Sequence, residues 1–262
     1  MAVTRFTKGL TTVAKTDPLG QFGLPDPTQY ISMFEDFVGI NSFPLATSAL
    51  AAASNATWTI TVTEGGGGDA TCAVADVSGG AIALSTDAAD NDLIFVQHKN
   101  ECFLPVAGKK TFFKYRFKIT DASANAATIN ECEWYAGLMI RDTDPLSSTA
   151  GDGVTDGIFF MSEDATQNIY LHCQKDSTTG QLSTLTGATL TVNTFTEFAF
   201  YYDGVNTINF YKDGVQIGSV DLTTTPSTYL PNTELTLSFG VKNGEAVLKV
   251  LTVDYIFAAQ ER

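Results

Sequence analysis

The chain has 262 residues, of which 44% are hydrophobic, 11% aromatic and only 17% charged. That is enough chain to bury a sizeable core, and all-β sandwiches of this length often form one domain. The net charge of −14 argues against nucleic-acid binding by the body, because phosphates need compensating cations; no apolar run reaches the roughly 18 residues of a membrane-spanning helix.

The charge is unevenly placed. Residues 1–16 hold Arg5, Lys8 and Lys15 and no acid, so the remainder of the chain carries about −17. A basic leader on an acidic body suggests an arm that rests on an acidic partner surface; the plainer alternative is a solubilising terminus. MAVTRFTKGLTTVAK lacks the continuous apolar core of a secretory signal. TDPLGQFGLPDPTQY follows, with three prolines and two glycines, and predicts an extended, turn-rich path with little core of its own. Residues 1–30 are therefore read as an arm and 31–262 as the body.

From Phe34 onward the pattern becomes strand, turn, strand. FEDFVGI, TWTITVT, AIALST, DLIFVQHK and TFFKYRFKIT have strand length and β-branched or aromatic content. In TFFKYRFKIT, Phe113, Tyr115, Phe117 and Ile119 alternate with Lys114, Arg116 and Lys118, which predicts a half-buried antiparallel strand. EWYAGLMIR, GIFFMS, NIYLHCQK, TEFAFYYD, TINFYKD, VQIGSVDL, LTLSFGV and AVLKVLTVDYIF continue the series. Gly65–Gly68 reads as a hairpin tip or surface loop; it lacks the Lys and following helix of a phosphate loop. Asp203-Gly204, Asp213-Gly214 and Asn243-Gly244 are expected to be tight hairpin turns. No amphipathic helix of three turns is expected, so the predicted architecture is an all-β, two-sheet antiparallel jelly-roll sandwich with an extended N-terminal arm.

Cys72, Cys102, Cys132 and Cys173 are too far apart in sequence for a zinc knuckle or a redox pair, and reduced, mostly buried thiols are expected. His98 and His172 lie in apolar strand-like stretches and read as structural. Asp142, Asp144, Asp152 and Asp156 can offer oxygens to calcium, but beside Gly and Pro they read as turn formers. No cofactor and no metal is expected.

The succession FTEFAFYYDG, INFYKDGVQIGSVD and VLTVDYIFAA resembles the concanavalin-A-like lectin/glucanase jelly roll, over about Phe34 to Arg262. FEDF resembles the first strand of that fold, which usually lies beside the last. The fold hosts lectins, hydrolases, adhesion modules and virion proteins, so the likeness implies architecture and leaves activity open. Its glucanases resemble one another in E-x-D-x-E or E-x-D-x-x-E, acids lined along one strand face. The nearest match is Glu131-Cys132-Glu133-Trp134-Tyr135-Ala136, in which the last carboxylate is missing. Without that proton donor an enzyme is not expected.

A second likeness concerns the leader. TRFTKGLTTVA, LGQFGLPDPTQY and FEDF look like the opening of tailed-bacteriophage structural proteins, in which an extended arm precedes a jelly roll. The resemblance implies a capsid decoration (cement) protein, commonly a homotrimer. Such a protein is made in the host cytoplasm and sits on the outer surface of the virion, bound to the major capsid protein. On this reading Arg5, Lys8 and Lys15 pair with acidic groups of the shell while Phe6 and Phe22 fill apolar pockets, and the arm is ordered only on the shell or in an oligomer. The alternative is a lectin-like virion or tail protein that binds a host glycan, with Trp58, Trp134, Tyr170 and Tyr229 as conceivable platforms, most of them expected to be core residues. Neither a nucleic-acid nor a membrane partner is expected.

Overall fold

The computed structural model describes residues 29–38, 45, 53–54, 57–65, 69–121, 129, 131–141, 153–176, 180–222 and 226–262. Its first strands are β1 (Tyr30–Glu35), β2 (Ala53–Ser54), β3 (Trp58–Thr63), β4 (Thr71–Val74), β5 (Ile82–Ser85), β6 (Leu93–His98), β7 (Thr111–Asp121) and β8 (Cys132–Met139). They are followed by β9 (Gly157–Ser162), β10 (Ile169–Lys175), β11 (Gly180–Leu185), β12 (Thr196–Tyr202), β13 (Thr207–Lys212) and β14 (Val215–Asp221). A one-turn helix, α1 (Pro226–Tyr229), then leads to β15 (Thr236–Asn243) and β16 (Lys249–Glu261).

Two antiparallel sheets form the sandwich. The first runs β11-β10-β9-β8-β15-β6-β3-β2; the second runs β14-β13-β12-β7-β16-β5-β4, with β1 also paired to β16. The chain passes repeatedly between the sheets, as from β5 to β6, β6 to β7, β7 to β8, β11 to β12, β14 to β15 and β15 to β16, while β8–β11 and β12–β14 run as meanders within one sheet. Strand β7 behaves as its alternation predicts: Phe113, Tyr115, Phe117 and Ile119 enter the inter-sheet core, and Lys114, Arg116 and Lys118 face outward. Aromatic rings dominate that core, with Phe117 4.6 Å from Trp134 and Phe160 5.2 Å from Phe198 between centroids.

The first strand lies beside the last, Phe34 opposite Phe257, but it starts earlier than FEDFVGI suggests. It stops at Glu35, whose carboxylate accepts the Phe37 amide at 3.0 Å. Phe37 then takes φ 56° and turns its ring into the core. The Asp213-Gly214 pair is a two-residue turn, with φ 48° and 77° and Lys212 paired to Val215. Asp203 acts differently from expectation: its Oδ1 accepts the amides of Val205, Asn206 and Thr207 at 2.8–3.0 Å. It organises a four-residue loop through its side chain. That loop still joins an antiparallel pair, β12 and β13; Asn243-Gly244, by contrast, is not a hairpin, because β15 and β16 belong to different sheets. Gly65 likewise lies between β3 in one sheet and β4 in the other, so it follows a strand that does not pair with the next; Gly66–Gly68 lie outside the described residues.

Candidate binding surfaces

Arg5, Phe6, Lys8, Lys15 and Phe22 all lie outside the described residues. What is defined is the place from which their segment leaves. The Arg262 amide donates to the Gln29 carbonyl at 2.9 Å, and Tyr30 pairs with Glu261. Both ends of the body therefore lie side by side in the second sheet, at the end of β16.

The outward face of the first sheet carries the one glucanase-like strand. Along β8, Cys132, Trp134, Ala136 and Leu138 face the inter-sheet core, so Glu133, Tyr135 and Met139 face the other way. Glu133 is held by Lys242 on the neighbouring strand at 3.3 Å, and its side chain is only 4% exposed. Burial raises its carboxyl pKa, Lys242 works against the rise, and Asp164 and Glu163 add to it. Two residues on, Tyr135 is fully buried among Phe95, Phe159 and Met161. The aromatic rings of this face lie over glycines: Phe159 opposes Gly137, and Phe95 opposes Gly240. At the face's far side His172 stacks on Phe159, with centroids 5.2 Å apart and planes 8° apart, and its Nε2 is 3.3 Å from Ser183 Oγ. The strand thus presents one ion-paired acid next to a packed apolar cluster.

Of the four conceivable aromatic platforms, Trp58 and Trp134 are core residues. Tyr229 ends α1 half-buried against the core. Tyr170 is half-buried on the outward face, with Asn168 Nδ2 donating to its hydroxyl at 3.4 Å and the exposed Leu185 opposite. Asp142, Asp144 and Asp152 lie outside the described residues. Asp156 is buried, and its carboxylate accepts the backbone amides of Asp176 and Asn232, which makes it a loop anchor. All four cysteines are free; Cys102 is half-buried and the other three are buried. Burial pushes the Cys72 and Cys132 thiols up to about 12, so they stay protonated and act as small apolar groups. His98 stands edge-on to Trp58 at 5.1 Å, and its Nδ1 accepts the Asn100 amide. Burial lowers its pKa, in keeping with a structural, neutral imidazole.

The second sheet's outward face is charged at one end and aromatic at the other. Lys114 pairs with Glu197 at 2.8 Å, Arg116 pairs with Asp254, and the Tyr255 hydroxyl donates to Glu197. Asp254 reaches Arg116 because a β-bulge between Val253 and Tyr255 shifts the register of β16 against β7. Tyr30, Phe112, Tyr201, Tyr211 and Phe257 form the aromatic part. Sequence alternation alone did not single out this cluster. Its signal is the continuous apolar runs FAFYY and TFF, which mark strands covered on both faces.

Residues 133–249 match the concanavalin A-like lectin/glucanases superfamily. No curated protein matches the chain by sequence. Among solved structures, an endo-1,3-β-glucanase from Streptomyces sioyaensis superposes with a TM-score of 0.57 at 14% identity, over 90% of this chain and 98% of that one. The carbohydrate recognition domain of Emp47p gives 0.55 at 9% identity, over 89% and 98%. Peanut lectin with a nine-residue peptide gives 0.51 at 11% identity, over 89% and 97%. At these identities the likeness establishes the concanavalin-like sandwich and nothing about activity.

Proposed function

We propose that this concanavalin-like sandwich is a non-enzymatic structural protein of a tailed-phage virion. On this reading it is a decoration protein, working as a homotrimer on the outer shell, that binds major capsid proteins through its N-terminal segment. The observation that carries the non-catalytic half is the state of the Glu133 face. A retaining glycosidase needs two carboxylates about 5–5.5 Å apart and open to substrate. Here the position two residues after Glu133 is a buried tyrosine, and Glu133 itself is bound to Lys242.

The leader's likeness to phage arms supports the shell-binding half, and so does the geometry of its root. A 28-residue segment leaving a strand anchored on β16 can span up to about 90 Å when extended, far enough to reach neighbouring subunits of a shell. Imaging of particles that carry the protein tests the proposal. Density for the sandwich on the outer icosahedral surface is expected; density confined to the tail would overturn it. Reducing-sugar release from β-1,3-glucan that is abolished by Glu133→Gln would overturn the non-enzymatic half.

Tyr170 favours a second reading, because a half-exposed ring beside Asn168 is the type of group that stacks on a sugar. The lectins among the structural neighbours motivate the test: a glycan-array signal lost in Tyr170→Ala would support this role in host attachment.

A further inference from the structure

Strand β1 leaves one side of its backbone open. The Arg262 amide bonds to the Gln29 carbonyl, and the register runs on from Tyr30 opposite Glu261 to Glu35 opposite Ile256. In an antiparallel ladder, residues that exchange bonds alternate with residues that point away. Ile31, Met33 and Glu35 therefore bond to β16, while the amides and carbonyls of Ser32 and Phe34 point outward. Farther back on the same side of β16, β5 pairs with Val250 to Val253 and carries β4 as its own neighbour. Beside β1, in line with β4, no strand lies among the described residues, and Ser32 and Phe34 are exposed.

The corner around this edge is apolar and concave. Phe34, Val38 and Val74 are 62%, 64% and 51% exposed there, on the kind of edge that sheets ordinarily protect. Met33, Trp58, His98 and Leu237 help to wall a cavity of about 310 Å³ beside β1. Val38, Val74 and Gly80 line a broader groove of about 490 Å³ just past its end. Among the described residues no Lys or Arg lines either one, whereas Glu35 and Asp76 bring carboxylates.

We propose that this corner binds an extended, cationic and apolar segment of another protein, which adds to the free edge of β1 as an antiparallel strand. Strand addition draws affinity from main-chain hydrogen bonds and specificity from pockets for alternate side chains, and the corner supplies both. The cavity beside β1 falls at the lower end of the roughly 300–1,000 Å³ of ligand pockets, room for an anchoring apolar side chain. Acidic groups at the rim, on a chain of net charge −14, favour Lys or Arg between the anchors. A second copy of this chain suits the edge less well. The inward side chain of its β1, Met33, is packed against its own core, and two such bodies repel. The site lies on the body and does not rest on the shell-binding reading of the leader.

The test uses the full chain and four fluorescein-labelled peptides, Lys-X-Lys-X-Lys-X-Lys with X as Val, Ile, Leu or Phe, in fluorescence anisotropy. At least one should bind saturably, and its counterpart with Glu in place of Lys should not. Ser32→Pro removes an amide that faces away from β16, where an edge strand tolerates proline. It should weaken binding at least tenfold with unchanged near-UV circular dichroism. N-methylation along one edge of the peptide strand should weaken binding likewise, and along the other edge should not. No saturable binding, indifference to Ser32→Pro, or indifference to methylation on both edges, as diffuse charge attraction would give, would each overturn the proposal. So would a dimer of the chain in sedimentation that Ser32→Pro abolishes, since the edge would then take a second copy. No shell is present in these measurements, so their failure would leave the shell-binding reading standing.

Discussion

Asn243 ends β15 with its side chain fully buried and with both amide hydrogens and the amide oxygen engaged. Its Nδ2 donates to the carbonyls of Asp87 and Ala89 at 2.7 and 2.9 Å, and its Oδ1 accepts from Thr86 Oγ1 at 2.7 Å. Those bonds fix the loop between β5 and β6 at the point where the chain crosses from one sheet to the other. Asn243→Ala removes three hydrogen bonds, one to the buried Thr86 hydroxyl and two to half-buried loop carbonyls, and should cost about 3 kcal/mol, read as a fall in Tm of roughly 6–12 °C. Glu133 sets a pH dependence. Its folded-state pKa is raised by burial, against an unfolded value of about 4.3. The folded state therefore binds the proton more tightly, and stability falls as pH rises from that unfolded value through the folded one. Glu133→Gln removes this slope. Thermal melts across that window should show the variant gaining on the native chain as pH rises; a constant difference would contradict the assignment.

At the scale of elements, both sheets bury aromatic rings on their outward as well as their inward faces, and glycines make room for them. A Cβ on Gly137 would stand 2.4 Å from both Ile158 O and Phe159 Cα, so the backbone of β8 or β9 would have to move. Gly137→Ala should destabilise by about 3 kcal/mol, at the upper end of overpacking costs, measurable by denaturant unfolding. The alternation in β7 and the Asp213-Gly214 turn were legible because each depends on residues near in sequence. Strand β11, an edge strand in GQLSTL, was missed because it lacks β-branched and aromatic weight. Asn243-Gly244 misled because its asparagine bonds to a loop over 150 residues away in sequence, and no local pattern records that. The Glu131–Ala136 stretch did reveal its missing second acid. It did not reveal the Lys242 partner, which depends on the register between β8 and β15.

For the whole molecule, the first and last strands of the body lie side by side, and the proposed reading puts the partner-binding chemistry on the segment that precedes them. A basic leader on a strongly acidic body should make shell binding depend on salt, since exposed charges are screened within about 10 Å at 0.1 M. Because Tyr30 begins β1 and pairs with Glu261, a truncation that tests the leader must stop at residue 28. Cosedimentation of the purified protein with capsids lacking it tests the central claim most directly. The full chain should pellet with the shells, while residues 29–262, and the full-length Arg5→Glu/Lys8→Glu/Lys15→Glu variant, should stay in the supernatant with unchanged near-UV circular dichroism. Undiminished pelleting of both altered forms would contradict the account.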